Sequence, residues 1–238
     1  MYIYQLLTNN GNGVTRESLL AVAAFIVALL FALIFHEVAH GLVALWFGDR
    51  TAKSYGRLSL NPAKHFDWMG LLMMLFCGFG WAKPVPVNVS NFKKQKAGMI
   101  CVSLAGIVTN LLTAFLFAGL WLFAFYAGFG LTAADKGYYA FTFLSYLGEI
   151  CTTLNIGFAL FNVLPLYPLD GYRLLSCFIP QSNAFMAFLR KYSLYIIIGL
   201  VLIGNLLPAQ FSPLDLYIGT LQEKISTLYL SFWGLFIK

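Results

Sequence analysis

Charge is what this sequence has least of. Of its 238 residues, 15 are Lys or Arg and 9 are Asp or Glu, 10% in all, where a soluble domain carries roughly a quarter. So little charge excludes an ordinary water-soluble globule. The net charge of +6 is better explained by basic loops beside apolar spans than by nucleic acid, which is not an expected partner. Cysteine is also scarce: Cys77, Cys101, Cys151 and Cys177 stand singly, with no Cys-x-x-Cys pair among them. That spacing excludes a disulfide framework and a cysteine-held metal knuckle, and leaves four small packing residues. No small-residue cleavage pattern follows the first apolar run, which is therefore expected to stay in place as a span rather than leave as a signal peptide. Fixed-period repeats and low-complexity segments are absent as well.

What is abundant is hydrocarbon, at 60% of the residues. Apolar runs at about residues 19–47, 99–129, 150–169 and 192–207 predict four membrane-spanning helices, since a crossing needs about 20 residues. Before the first run, residues 1–18 form a polar, turn-rich lead. Residues 49–98 differ: Arg50, Lys53, Arg57, Lys64, Lys83, Lys93, Lys94 and Lys96 surround a glycine-punctuated apolar piece at 69–81, too short to cross. It is expected to dip in and return as a re-entrant element or β-hairpin, flanked by β-like stretches at 55–60 and 83–89. His65, among these loop charges, is expected to be exposed or interfacial. The tail at 214–238 is broken by Glu223 and Lys224 and predicts an interfacial helix or a further, tilted span. With the N-terminus outside, the eight basic residues of 49–98 and Arg173, Arg190 and Lys191 fall in the cytoplasm, against Arg16 and Lys136 outside. This is the bias that orients membrane proteins. The expectation is one all-α, polytopic, membrane-embedded domain over residues 1–238.

Histidine occurs three times in the chain, and two of the three stand in Phe35-His36-Glu37-Val38-Ala39-His40-Gly41. In a helix His36 and His40 lie one turn apart on one face, where both imidazoles can reach one zinc ion, and Glu37 sits close enough to serve as a general base. With three His and four Glu available, a chance His-Glu-x-x-His is expected on the order of once in a thousand such chains. A second informative stretch is Asn162-Val163-Leu164-Pro165-Leu166-Tyr167-Pro168-Leu169-Asp170-Gly171. Its prolines break the helical ladder, and backbone groups freed at membrane depth are tolerated only where they line a cavity. An Asp near hydrocarbon costs about 2.5–3.5 kcal/mol on insertion scales, which a divalent cation offsets. Asp170 therefore completes a three-ligand zinc set with His36 and His40.

Together these stretches, with Gly56-Arg57-Leu58-Ser59-Leu60-Asn61-Pro62 and the segment at 81–88, resemble the site-2 protease family of intramembrane zinc metalloproteases. The resemblance covers the chain from the first span to about Leu175. It implies a core of three helices, one zinc per chain on the two His and the Asp, Glu37 as general base, and cleavage of transmembrane protein substrates within the bilayer. It implies for Asn162 a role in binding substrate or steadying the oxyanion. Two positions depart from the family pattern: Ile107 follows Gly106 where proline is usual, and Tyr172 follows Gly171 where a second glycine is usual. Both concern helix shape and packing. No stretch is long and polar enough for the PDZ domain of some members, so a compact member in a prokaryotic cell membrane, its site toward the cytoplasm, is expected. The rival readings are a membrane zinc transporter or metal sensor, and an inactive protease-like scaffold. A transporter calls for polar ligands spread across the bilayer, whereas these cluster at one depth. A scaffold has no need of Glu37. Oligomeric state is not legible in the sequence.

Overall fold

The computed structural model describes residues 14–65, 67–70, 72 and 83–237. Helix α1 runs over Arg16–Trp46. Thr15 opens it with a capping box, its hydroxyl accepting from the Ser18 N–H while the Ser18 hydroxyl accepts from the Thr15 N–H, which satisfies donors that a helix start leaves free. Along one face Ala21, Ala24, Ala28 and Ala32 are buried. Small residues of this kind let neighbouring backbones approach closely in a membrane, where hydrophobic driving force between helices is missing. Beyond α1 come short α2 (Thr51–Ser54), a 3-10 turn at Pro62–Lys64 and another at Val89–Asn91.

Helix α3 (Gln95–Gly128) and helix α4 (Tyr138–Val163) form the most extensive pair, and α1 packs against both. These three helices make the core. Phe25, Leu29, Leu147, Ile150 and Cys151 fill it at one level. Short α5 (Asp170–Leu175) follows the proline-broken segment, then α6 (Ala184–Leu206) and α7 (Pro213–Trp233). Four of these helices, α1, α3, α4 and α6, are long and apolar enough to cross a membrane. α7 lies along α3 and α4, with Trp233 Nε1 donating to the Phe115 carbonyl at 2.8 Å and Ile218, Leu221, Ile225 and Tyr229 packed on Ala114, Ile156 and Leu160. Its opposite face exposes Thr220, Glu223, Lys224 and Thr227.

Several expected boundaries move. The third spanning helix starts at Tyr138 and ends at Val163, not at 150 and 169. Gly148 suggests a stop, but it is a contact: a Cβ there would come within 2.6 Å of the Trp121 backbone, so glycine is what lets α3 and α4 touch. The fourth starts at Ala184, under an Asn183 cap, so that Arg190 and Lys191 belong to the helix itself. No strand is present among the described residues. The stretch expected to be β-like at 55–60 is a turn, because Gly56 takes a φ of +64° and reverses the chain after α2; 83–88, in the other such stretch, has no regular secondary structure and pairs with no strand among the described residues. Most of the apolar piece at 69–81 lies outside the described residues. His65 is fully buried rather than exposed: its Nε2 donates to the Ser59 carbonyl at 2.6 Å, and its own carbonyl accepts from the Lys83 N–H at 2.9 Å. The three described cysteines, Cys101, Cys151 and Cys177, are free.

Candidate metal centre

The helical period of α1 puts His36 and His40 on one face, their ring centroids 4.6 Å apart and nearly perpendicular. Both rings are buried, and that face looks onto α3. Gly106 makes the approach possible, since a Cβ there would lie 2.4 Å from His36 Cε1 and 2.6 Å from its Nδ1. Ile107, which stands where the family pattern has proline, keeps its backbone N–H, and α3 passes through this level unbroken. On the other side, His40 Nδ1 lies 2.7 Å from the Val102 carbonyl. A carbonyl only accepts, so Nδ1 carries the proton and Nε2 presents a lone pair.

Asp170 arrives from the start of α5. A Cβ on Gly171 would lie 2.1 Å from the Val163 carbonyl oxygen and 2.4 Å from that of Leu164, so only glycine lets this turn tuck under the end of α4. Tyr172, standing in place of a second glycine, is buried against Met186 and Leu189 and docks α5 to α6; its hydroxyl accepts from Arg190 Nε at 3.4 Å. Asp170 Oδ2 reaches His36 Nε2 at 3.2 Å and His40 Nε2 at 3.1 Å, and the two Nε2 atoms are 3.0 Å apart. Oδ1 faces Arg173 Nη1 at 3.4 Å, which orients the carboxylate.

The three atoms form a small triangle of converging lone pairs. Tetrahedral zinc with bonds of about 2.0–2.1 Å spaces its ligand atoms about 3.3 Å apart, close to the edges of that triangle. Among the described residues no other group of three His, Cys, Asp or Glu side chains converges in this way. A trio of one ionised carboxylate and two imidazoles, buried together, suits a divalent cation and the geometry of a catalytic site with one position left open. Glu37, next to His36 in sequence, accepts a hydrogen bond at Oε2 from the Val85 N–H at 2.8 Å. Asn162 is placed otherwise: it is half-buried and its amide donates to the Phe158 carbonyl, one turn back on α4, at 3.0 Å. The Val102 carbonyl and the Val85 N–H escape a reading of side chains because they are backbone groups. The prolines on both sides of Val85 were the one available hint.

The chain is 42% identical over 160 residues to a Bacillus subtilis protein that carries the provisional name zinc metalloprotease YwhC, a match covering 66% of this chain and 69% of that one. It is 28% identical over 198 residues to Rip2 of Mycolicibacterium smegmatis, provisionally named a zinc metalloprotease as well, over 79% of this chain and 71% of the relative. No family model and no solved structure matches. Relatives of this name imply Zn2+, and the His36, His40 and Asp170 trio is where the chain could take it. At this identity and coverage the chain belongs to the site-2 protease-like family of intramembrane zinc metalloproteases.

Proposed function

We propose that this protein hydrolyses peptide bonds in or near the transmembrane segments of other membrane proteins, with His36, His40 and Asp170 as zinc ligands and Glu37 as the general base. The observation that carries the proposal is the triangle of Nε2, Nε2 and Oδ2 atoms 3.0–3.2 Å apart, set among helices of membrane-crossing length. When bound, zinc supplies Lewis acidity to a carbonyl and to water. Glu37 takes a proton from the attacking water and returns it to the amine as the C–N bond breaks. His40 holds its tautomer through Val102, and Arg173 holds the Asp170 carboxylate, so neither ligand reorients during the reaction. Asn162 is assigned to substrate binding or the oxyanion; its amide spends one N–H on the Phe158 carbonyl and has a second to offer.

A substrate helix hides its carbonyls in its own hydrogen bonds and must unwind before attack. The stretch at 83–88 is where an unwound segment can pair by strand addition. The expected partners are thus transmembrane proteins and the bilayer itself. We place the N-terminus outside, the site toward the cytoplasmic face, and all 238 residues in one membrane-embedded domain. Glu37→Gln is the direct test. Purified, zinc-loaded mutant should cleave a membrane substrate at least about a hundredfold more slowly than wild type, a typical loss for a general base. Cleavage at the wild-type rate with zinc retained removes Glu37 as the base, whereas a zinc-loaded wild type that cleaves no membrane substrate leaves the transporter or scaffold reading.

A further inference from the structure

Arg57 is a buried cation with no role so far. It follows the Gly56 turn, is 7% exposed, and among the described residues its guanidinium has no carboxylate within ion-pair distance. Its fork donates to three backbone carbonyls, those of Lys64, Lys83 and Pro84, the last at 3.2 Å. A desolvated guanidinium is costly unless its donors are met in good geometry. Holding two chain segments together needs no charge, as an apolar contact serves. What the planar fork adds is direction.

That direction bears on Glu37. The Pro84 carbonyl and the Val85 N–H belong to the same peptide unit, which is planar, with the two groups on opposite edges. Arg57 holds one edge and Glu37 Oε2 takes the other at 2.8 Å. Rotation of this plane would withdraw the N–H from Glu37, and the guanidinium opposes that rotation. A cation on the carbonyl side also polarises the amide, which strengthens the N–H as a donor. Pro84 and Pro86 carry no N–H, so the donor between them is Val85 alone. The stretch is pinned on either side as well, by the Lys83 N–H on the His65 carbonyl at 2.9 Å and the Asn88 N–H on Asp49 Oδ2 at 2.7 Å. Below it Gly41 leaves the room that Leu58, Ala52 and Val85 occupy against α1.

We infer that Arg57 is a positioning residue for the Glu37 base, acting through the single peptide plane between Pro84 and Val85. The inference rests on Glu37 being the base. It fixes one carboxylate oxygen and leaves Oε1 to receive the proton. The test uses the full-length, zinc-loaded protein in detergent and compares wild type, Arg57→Gln, Arg57→Lys and Glu37→Gln for zinc content, unfolding temperature, kcat and KM on a membrane substrate, and amide hydrogen exchange of the peptide containing Val85. Arg57→Gln should keep one zinc per chain and a KM within about twofold of wild type. Its kcat should fall by about ten- to a hundredfold, the scale of a small misplacement of a catalytic group, and Val85 should exchange faster. If Arg57→Gln does not fold, Arg57→Lys, which keeps the charge and one bond, decides: a lower kcat at unchanged KM and zinc supports the role. Wild-type kcat in either folded variant overturns it, and so does a KM rise at constant kcat, or loss of zinc and fold in both. A Glu37→Gln protein that cleaves like wild type would instead sink the base assignment, whatever the Arg57 variants do.

Discussion

At the scale of single residues, Gly106 is a sensitive position beside the His36, His40 and Asp170 trio. A methyl group there meets the His36 ring at 2.4–2.7 Å, well inside van der Waals contact, and the ring yields only by leaving its metal geometry. Gly106→Ala should therefore weaken zinc binding by at least about tenfold, the scale at which loss of a ligand's support is felt, measured by competition with a chromophoric chelator, while α3 stays helical because alanine is the better helix former. An unchanged zinc affinity would mean that His36 has slack the contact distances deny. The convergence of His36, His40 and Asp170 was legible in the sequence because metal-binding groups are side chains in recognisable patterns. The groups that hold them were not. Val102 and Val85 act through backbone atoms, and Arg57 resembled one more topology-setting cation among eight.

Among the elements, the stretch between α1 and α3 is held by Asp49, which is fully buried. Its carboxylate accepts from the Thr51 hydroxyl and N–H, the Asn91 amide and the Asn88 N–H. Burial pushes the Asp49 carboxyl up, but these donors outweigh it and hold the group below its ordinary 3.8. A pKa lower in the folded than in the unfolded chain contributes stability that is present above the unfolded value and lost as pH falls through the folded one. Asp49→Asn should thus unfold at lower temperature than wild type at neutral pH, and the gap between the two should close as the pH drops below 3.8, followed by thermal unfolding in detergent. A gap that stays constant across that range would remove the charge from the explanation. The four helices of membrane-crossing length were foreseen from hydropathy, their ends less well. Gly148 and the Arg190-Lys191 pair looked like punctuation because glycine and charge usually mark boundaries. Here one is a helix contact and the other lies inside α6. The turn at Gly56 was hidden for a related reason: alternating residues at 55–60 imitate a strand, and only the positive φ shows that the chain reverses.

On the scale of the whole molecule, the three-helix core was expected from family resemblance and is found, whereas the packing of α7 along α3 and α4 was open. Its apolar positions 218, 221, 225 and 229 recur at helical spacing, but Glu223 and Lys224 made the same tail fit an interfacial helix equally well. The metal trio joins parts of the chain that are far apart in order: His36 and His40 come from the first span, and Asp170 follows the third, about 130 residues later. Ligands so separated meet only in the folded bundle, so zinc affinity is linked to folding in the way that any ligand of the native state alone is. Removing the ion with a chelator should lower the unfolding temperature of wild type and also of Glu37→Gln, which keeps all three ligands. A chelator with no effect on either would mean that the ion closes no loop. With zinc bound, the trio cross-links α1 to α5 reversibly, and this protein's thermal endurance should rise and fall with the free zinc around it, whether or not a substrate is ever cut.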